Sequence, residues 1–139
     1  MKKKMSTEDA KDCLRKQGLK LTPIRVETLK ALSVADRPYS IEELHSKIHM
    51  GDLVSLYRTL SRFTRVGLTV EVDLGLGKVH YEKAPQNQTH QHHVVCRVCE
   101  KIEPLDLCGL GPHKKRLEAL GYQEIEHSLR FSAICRKCA

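Results

Sequence analysis

Apolar residues recur at helical spacing along the first half of the chain, and residues that begin or end helices interrupt them. Ser6 is a suitable N-cap for a first helix that runs to about Gln17 and ends at Gly18. Thr22 and Pro23 predict the start of a second helix. Threonine is a good N-cap, and proline at the first helical position lacks only an N–H that would have no partner there.

A third and a fourth helix are predicted after residue 40. Ser40 and Glu43 have the spacing of a capping box, in which each side chain binds the other residue's backbone N–H. The apolar face of the third helix then consists of Ile41, Leu44, His45 and Ile48. After a tight turn at 50–52, the fourth helix has one apolar stripe made of Leu53, Leu56, Tyr57, Leu60 and Phe63. Gly67 ends this helix.

Two short β-rich runs, 68–72 and 78–82, follow the fourth helix and are joined by a glycine-containing stretch. This pattern predicts a β-hairpin. Helices with a short turn between the last two, followed by a hairpin, indicate a winged helix-turn-helix DNA-binding domain over residues 1–84. The polar segment 85–89 is predicted to be a hinge, and residues 90–139 a dimerisation and metal-binding domain.

The second domain has few large apolar side chains. A helix is predicted over 112–120, ended by Gly121, and a β-like tail over 124–134. A unit of about 50 residues with so little apolar surface needs a metal ion or a partner subunit for stability. The predicted fold class is α+β, with a winged helix-turn-helix domain and a small C-terminal α/β domain.

The charge of the chain favours a polyanionic partner. The chain contains 24 Lys and Arg against 17 Asp and Glu, a formal net charge of +7, and most of the excess precedes the hinge. Aromatic residues make up only 4%, which argues against a stacking platform for single-stranded nucleic acid. No apolar stretch approaches the ~20 residues needed to span a membrane. The N-terminal segment lacks the apolar core of a signal peptide, so a cytoplasmic protein is expected.

The fourth helix has a basic face opposite its apolar stripe. Four residues at helical spacing form this face: Ser55, Arg58, Arg62 and Arg65. Such a helix fits the major groove of B-DNA, where arginine contacts phosphates or the guanine edge. Lys20 and Arg25 would extend the phosphate contacts. A solvated surface helix is the alternative, but the position in a helix-turn-helix favours double-stranded DNA, with a two-fold dimer reading a pseudo-palindromic operator.

Four cysteines form two C-x-x-C pairs, Cys96 with Cys99 and Cys135 with Cys138. Two such pairs complete a tetrahedral four-sulfur shell, which suits Zn²⁺ and leaves no open position for catalysis. A redox pair is the alternative, but it requires only one C-x-x-C. The pattern therefore predicts a structural zinc in the second domain, and an enzyme is not expected.

A set of histidines and carboxylates remains outside this shell: His80, Glu82, His90, His92, His93, Glu103 and His127. Nitrogen and oxygen ligands of this kind suit Fe²⁺, Zn²⁺, Mn²⁺ or Ni²⁺. On a strand, His90 and His92 would point to one face and His93 to the other, so one strand can supply two sites. The alternative is a polar surface strand with incidental metal affinity.

The chain resembles the ferric uptake regulator superfamily over nearly its whole length. The resemblance rests on segments 18–25 (GLKLTPIR), 40–44 (SIEEL), 55–60 (SLYRTL), 67–68 (GL) and 90–99 (HQHHVVCRVC), and on His127 ahead of the pair at 135–138. It implies a homodimeric, metal-dependent transcriptional regulator, usually a repressor, that dimerises through its C-terminal domain. It also implies that Tyr57 and Arg58 contact DNA and that Lys20 reaches the minor groove.

Two departures from the family pattern concern the metal ligands. Where the family's hinge site has histidines, this chain has Pro38 and Gln91. A hinge site would therefore be rebuilt from Glu82, His93, Glu103 and His80. The second regulatory site is better matched, by His90, His92 and His127. Its acidic ligand would fall near Leu110, which cannot bind metal, so Cys108, His113 or a nearby glutamate is expected to substitute.

The first hypothesis is a metal-responsive repressor of metal uptake or homeostasis genes, with a structural Zn²⁺ and a second divalent ion as co-repressor. Fe²⁺ or Zn²⁺ is favoured for that ion, with Mn²⁺ and Ni²⁺ as alternatives. A peroxide- or redox-sensing regulator of the same fold is the second hypothesis. A constitutive DNA-binding zinc protein without a sensing role is the third.

Overall fold

The computed structural model describes residues 3–85, 91–106 and 108–139. The chain divides into two compact units, Met1–Ala84 and Pro85–Ala139. Both units combine helices with a small sheet, which confirms the predicted α+β class. Except for Pro85, the predicted hinge 85–89 lies outside the described residues.

Each helix predicted for the first unit is present: α1 (Thr7–Lys16), α2 (Pro23–Ser33), α3 (Ile41–Ile48) and α4 (Leu53–Arg65). Ser6 caps α1 and Ser40 caps α3, and both form complete capping boxes, with Asp9 and Glu43. Asp52 caps α4 by accepting a hydrogen bond from the backbone N–H of Ser55 at 2.7 Å. The local sequence thus determines where these helices begin.

The start of α2 differs from the prediction in one respect. Thr22 precedes the helix in an extended conformation, but its hydroxyl makes no capping hydrogen bond. Its Oγ1 is buried and has no hydrogen-bond partner within the described part of the chain. The fixed φ of Pro23 at the first helical position is sufficient to start the helix without a side-chain cap.

The apolar stripe of α4 is narrower than predicted. Leu56, Leu60 and Phe63 are fully buried, whereas Leu53 is 44% exposed and Tyr57 57% exposed. The helix packs against α2, α3 and the following strand, so only a stripe about 100° wide faces the core. Tyr57 lies beyond its edge and points outward.

Two clusters of buried residues form the core of the first unit. The first joins α1, α2 and α4 through Ala10, Leu14, Val26, Leu29 and Phe63. The second lies beneath the helix-turn-helix and the wing and contains Leu32, Ala35, Tyr39, Leu44, Leu56, Leu60 and Tyr81. Together they hold α4 in place while leaving its outer face free.

The turn between α3 and α4 depends on Gly51. Its φ is +69°, and an added Cβ would lie 2.9 Å from Cδ1 of Ile24. Its carbonyl oxygen lies 2.9 Å from Nε2 of His45. The turn therefore packs against Ile24 of α2, and both this contact and the positive φ favour glycine.

The predicted hairpin consists of β2 (Thr69–Asp73) and β3 (Val79–Lys83), which are antiparallel. A two-residue strand, β1 (Tyr39–Ser40), adds to β3 and gives the order β1-β3-β2. Such a short strand has no periodicity of its own, and the sequence predicts only the helix cap at Ser40.

The second unit contains β4 (His92–Cys96), β5 (Ile102–Leu105), α5 (Gly111–Ala119) and β6 (Arg130–Ala133). β4 lies in the centre, antiparallel to β5 and parallel to β6. The predicted tail 124–134 is a strand only in its last part, and no residue of α5 is buried. Among the described residues, no helix has the length and apolar character to cross a membrane.

Candidate functional site

The sheet of the second unit brings the two C-x-x-C pairs to the same end. β4 and β6 are parallel neighbours, and Cys96 pairs with Ala133 in their register. The chain leaves β6 and reaches Cys135 two residues later. Each pair then closes as a tight turn, with a hydrogen bond of 2.8 Å from Glu100 N to Cys96 O and one of 2.9 Å from Cys138 N to Cys135 O. Parallel pairing of β4 and β6 therefore brings Cys99 close to Cys135, although the two are 36 residues apart in the chain.

The four sulfur atoms are arranged as a zinc site requires. The sulfur atoms of Cys96, Cys99, Cys135 and Cys138 all lie within 4.8 Å of one another. The Sγ atoms of Cys99 and Cys135 are 3.7 Å apart. Zinc–sulfur bonds of about 2.3 Å in a tetrahedron place two sulfurs about 3.8 Å apart. The residues present thus fit a structural Zn²⁺.

The electrostatics of the cluster also favour a cation. Backbone N–H groups of Cys99 and Cys135 donate to the Cys96 sulfur and lower the pKa of this thiol to about 6. Hydrogen bonds among the crowded sulfurs, first with Cys135 and then with Cys99, raise the pKa of Cys138 to about 12. A divalent ion at the centre stabilises all four thiolates, which would otherwise repel one another.

A second group of potential ligands lies at the other end of β4. His92 begins the strand and is 96% buried, and its Nε2 lies 3.4 Å from Nε2 of His127. The Sγ of Cys108 lies 3.5 Å from the same His127 nitrogen. The three ligand atoms are all within 4.8 Å of one another. Since His92 and Cys96 are four positions apart on a strand, the Cα atoms of these two ligands are about 13 Å apart along β4.

This second cluster contains two of the three residues predicted for the regulatory site. His92 and His127 come together, and His90 lies outside the described residues. Cys108 joins them, and His113 does not belong to the cluster. The sequence predicts Cys108 only as one of several substitutes for the missing acidic ligand. Ligands so far apart in the chain are brought together by the fold, which the sequence alone does not show.

Two residues predicted for the hinge site, His93 and Glu103, lie on opposite faces of the sheet. Glu103 is directly opposite Val94 in the β4–β5 register, and paired residues point to the same face. His93, one residue earlier on β4, points to the other face. The carboxylate of Glu103 forms an ion pair with Lys101. The structure therefore does not bring Glu103 to His93. The sequence could not exclude this pairing, because it does not show the register between the strands.

The other two residues predicted for the hinge site, His80 and Glu82, alternate on β3 and share one face. His80 is almost fully buried, and its Nδ1 lies 3.1 Å from the carbonyl oxygen of Lys78. Burial lowers the pKa of this histidine and favours the neutral imidazole, the form that binds metals. A role for the two residues as ligands stays a prediction.

The outer face of α4 forms one wall of a polar groove, and the start of α2 forms the other. The groove is lined by Thr22, Ile24, Arg25, Ser55, Tyr57, Arg58, Thr59, Ser61, Arg62 and Arg65. Of the predicted DNA-contact residues, Lys20 is the one outside this lining, although its carbonyl oxygen accepts a 3.0 Å hydrogen bond from Arg25. Thr22 also lines the groove, whereas the sequence predicts it only as a helix cap.

The model of the ferric uptake regulator family matches residues 16–132. The ferric uptake regulation protein of Synechococcus elongatus is 33% identical over 132 residues, which cover 90% of this chain and 89% of that protein. The solved structure of the Vibrio cholerae ferric uptake regulator is similar with a TM-score of 0.75 at 27% identity, covering 89% of this chain and 98% of that one. The structure of the Francisella tularensis regulator with iron has a TM-score of 0.73 at 28% identity, covering 87% and 95%. The chain therefore belongs to the ferric uptake regulator family, and it is a metal-responsive, DNA-binding transcription regulator and not an enzyme.

Proposed function

We propose that this protein is a homodimeric repressor of metal uptake or homeostasis genes, with a divalent metal ion as co-repressor. One observation carries the proposal: the cluster of His92, Cys108 and His127 is separate from the four-cysteine cluster. A closed four-sulfur site holds its ion tightly, whereas a site to which the described residues supply three ligands, two of them exposed, can fill and empty. The second cluster is thus suited to sensing.

In this proposal the first unit binds double-stranded DNA through the groove between α2 and α4. Arg58, Arg62 and Arg65 are exposed on α4, and their guanidinium groups suit phosphates and guanine edges. The start of α2 lines the same groove, and a helix N-terminus has a partial positive charge. Both features favour a phosphate. Arg25, Ser55, Tyr57 and Lys20 complete the proposed DNA-binding surface.

The second unit is proposed to dimerise. No residue of α5 is buried, and the unit exposes several large apolar side chains: Leu117, Leu120, Tyr122, Phe131 and Ile134. A small unit with so much exposed apolar surface is stabilised by a second copy. A two-fold dimer in turn presents two α4 helices to a pseudo-palindromic operator.

The proposed control is a population shift. An ion held by His92, Cys108 and His127 fixes the beginning of β4, the strand that the segment from the DNA-binding unit enters. If the DNA-competent form binds that ion about 100-fold more tightly, the equilibrium shifts by about 2.7 kcal/mol. The four-cysteine zinc stays bound throughout and keeps the second unit folded.

The proposal is tested by measuring DNA affinity as metal is added back to protein that retains its structural zinc. We expect Zn²⁺ or Fe²⁺ to strengthen binding to an operator fragment, and His127→Ala to abolish this response. His113→Ala is the matched control, since His113 lies on exposed α5 outside the cluster. An operator affinity that is the same with and without every divalent metal would refute the sensing function and leave a constitutive DNA-binding zinc protein.

An Arg58→Ala variant tests the DNA-binding surface independently of metal. Loss of one arginine from a base or phosphate contact is expected to weaken binding by about 1–3 kcal/mol. Arg15→Ala is the control, because Arg15 lies on α1 in an exposed pair with Asp12. Equal affinities of the two variants would contradict the assignment of α4 as the recognition helix.

A further inference from the structure

The cluster of His92, Cys108 and His127 contains a thiol among the ligands proposed for sensing. Resemblance to the family places an acidic residue near Leu110, where this chain has no ligand. Leu110 lies at the N-cap of α5, and Cys108, two residues earlier, belongs to the cluster of potential ligands. A cysteine that binds a metal ion as its thiolate would retain the negative charge of that site and change the donor from oxygen to sulfur.

We propose that Cys108 is a direct metal ligand that makes this site selective for Zn²⁺ over the harder ions Mn²⁺ and Mg²⁺. This inference rests on the proposed function, because it names the ion to which that function responds. Two imidazoles and one thiolate form a donor set that binds zinc and other borderline or soft metals. Manganese and magnesium prefer carboxylates, carbonyls and water.

Two of the three separations in the cluster agree with a tetrahedral ion. Zinc–nitrogen bonds of about 2.05 Å separate two nitrogens by about 3.3 Å in a tetrahedron, and a nitrogen and a sulfur by about 3.6 Å. The observed separations are 3.4 Å between the two histidine nitrogens and 3.5 Å between Cys108 Sγ and His127 Nε2. An octahedral ion at about 2.1 Å would bring adjacent ligands to about 3.0 Å. These two separations thus match four-coordination better than six-coordination.

The surroundings of the cluster favour an ion that exchanges. His92 is buried and anchored at the start of β4, while Cys108 and His127 are exposed on the segments that flank α5. An ion held there joins the central strand to both of these segments. Among the described residues three ligands are supplied, which leaves the fourth tetrahedral position for water or a further residue. The ligand set of His92, Cys108 and His127 then provides both the selectivity for Zn²⁺ and the ability of the ion to exchange.

Cobalt substitution tests the assignment directly, since Co²⁺ replaces Zn²⁺ in tetrahedral sites and a thiolate ligand adds a near-ultraviolet charge-transfer absorption. Full-length protein with zinc retained in the four-cysteine site is titrated with one further equivalent of Co²⁺. We expect this absorption in the parent protein, and its loss in Cys108→Ser with the d–d bands still present. Cys13→Ser is the matched control, because Cys13 is half-buried in the first unit, and it should keep the absorption. An undiminished charge-transfer absorption in Cys108→Ser would overturn the proposal.

Competition between metals tests the selectivity. Relative to the parent, Cys108→Asp is expected to bind Zn²⁺ at least about 10- to 100-fold more weakly, since even supporting groups of a metal site have effects of this size. Its Mn²⁺ affinity should be unchanged or higher. Equal losses for both ions would overturn the selectivity. Retention of one structural zinc per chain checks the fold of each variant. A thiolate absorption in a protein whose DNA affinity ignores metal would refute the proposed function alone.

Discussion

Replacing Cys135 by serine tests how far the second unit depends on its metal. The unit has little core of its own: among its described residues, the buried apolar side chains are Val95, Cys96 and Ile102. An ion that joins Cys99 to Cys135 closes a loop of 36 residues. Treated as a cross-link, this closure stabilises the folded unit by about 4 kcal/mol. Whole domains are stable by only about 5–15 kcal/mol, so the loss is large.

Amide hydrogen exchange measured by mass spectrometry resolves this effect by region. In Cys135→Ser we expect the amides of β4 and β6 to exchange about 1,000-fold faster, which corresponds to a loss of about 4 kcal/mol. The amides of α2 and α4 should be unaffected, since their core clusters lie entirely within the first unit. Cys13→Ser controls for loss of a thiol. If Cys135→Ser retains its zinc and the protection of β4 and β6, the four-sulfur assignment is wrong.

Three further predictions concern the first unit. Burial alone would raise the pKa of Glu43, but hydrogen bonds with Arg37 and with the Ser40 N–H lower this pKa to about 2. The ionised carboxylate therefore stabilises the fold fully above pH 4.5, and this stabilisation is lost as the pH falls towards 2. Because the side chain is 36% exposed, we expect urea denaturation to show an acid-dependent loss of only about 1 kcal/mol that is absent in Glu43→Gln; equal pH slopes would contradict this pairing. Thr22→Val should leave the free energy of unfolding unchanged or raise it by about 1 kcal/mol, because the buried hydroxyl has no partner in the described residues; a marked loss of stability in urea denaturation would contradict this. Phe63→Ala should lower the free energy of unfolding by about 3–5 kcal/mol, since Phe63 is fully buried between α1, α2 and α4, and calorimetry showing a loss below about 1 kcal/mol would contradict its place in the core.

Local signals in the sequence were sufficient for the helices and the hairpin. Ser6 and Ser40 cap α1 and α3 because a hydroxyl acceptor followed three residues later by an acidic side chain satisfies the free N–H groups of a helix start. The wing follows from alternating apolar residues on either side of a glycine-containing loop. These features involve residues close in the chain, so their positions follow from local signals, although helices this short are stable only when they are packed in the fold.

The limits of α4's apolar stripe and the short strand β1 required the tertiary structure. Tyr57 is apolar enough to continue the stripe, yet it faces outward because the neighbours of α4 cover only one side of it. Strand β1 exists because β3 offers its free edge to Tyr39 and Ser40. Neither outcome has a local signal, since both depend on what packs against the residues in question.

For the metal sites, the sequence determined the chemistry and the tertiary structure decided the grouping. The spacing of the two C-x-x-C pairs was enough to predict a four-sulfur zinc site, because four thiolates at that spacing suit few other purposes. Which histidines lie close together depends on the strand: alternation along β4 directs His92 towards His127 and His93 to the opposite face. That Cys108 joins them was decided by the path of the chain between β5 and α5. Ligand type is a property of single residues, whereas proximity across many residues arises only when the sheet has formed.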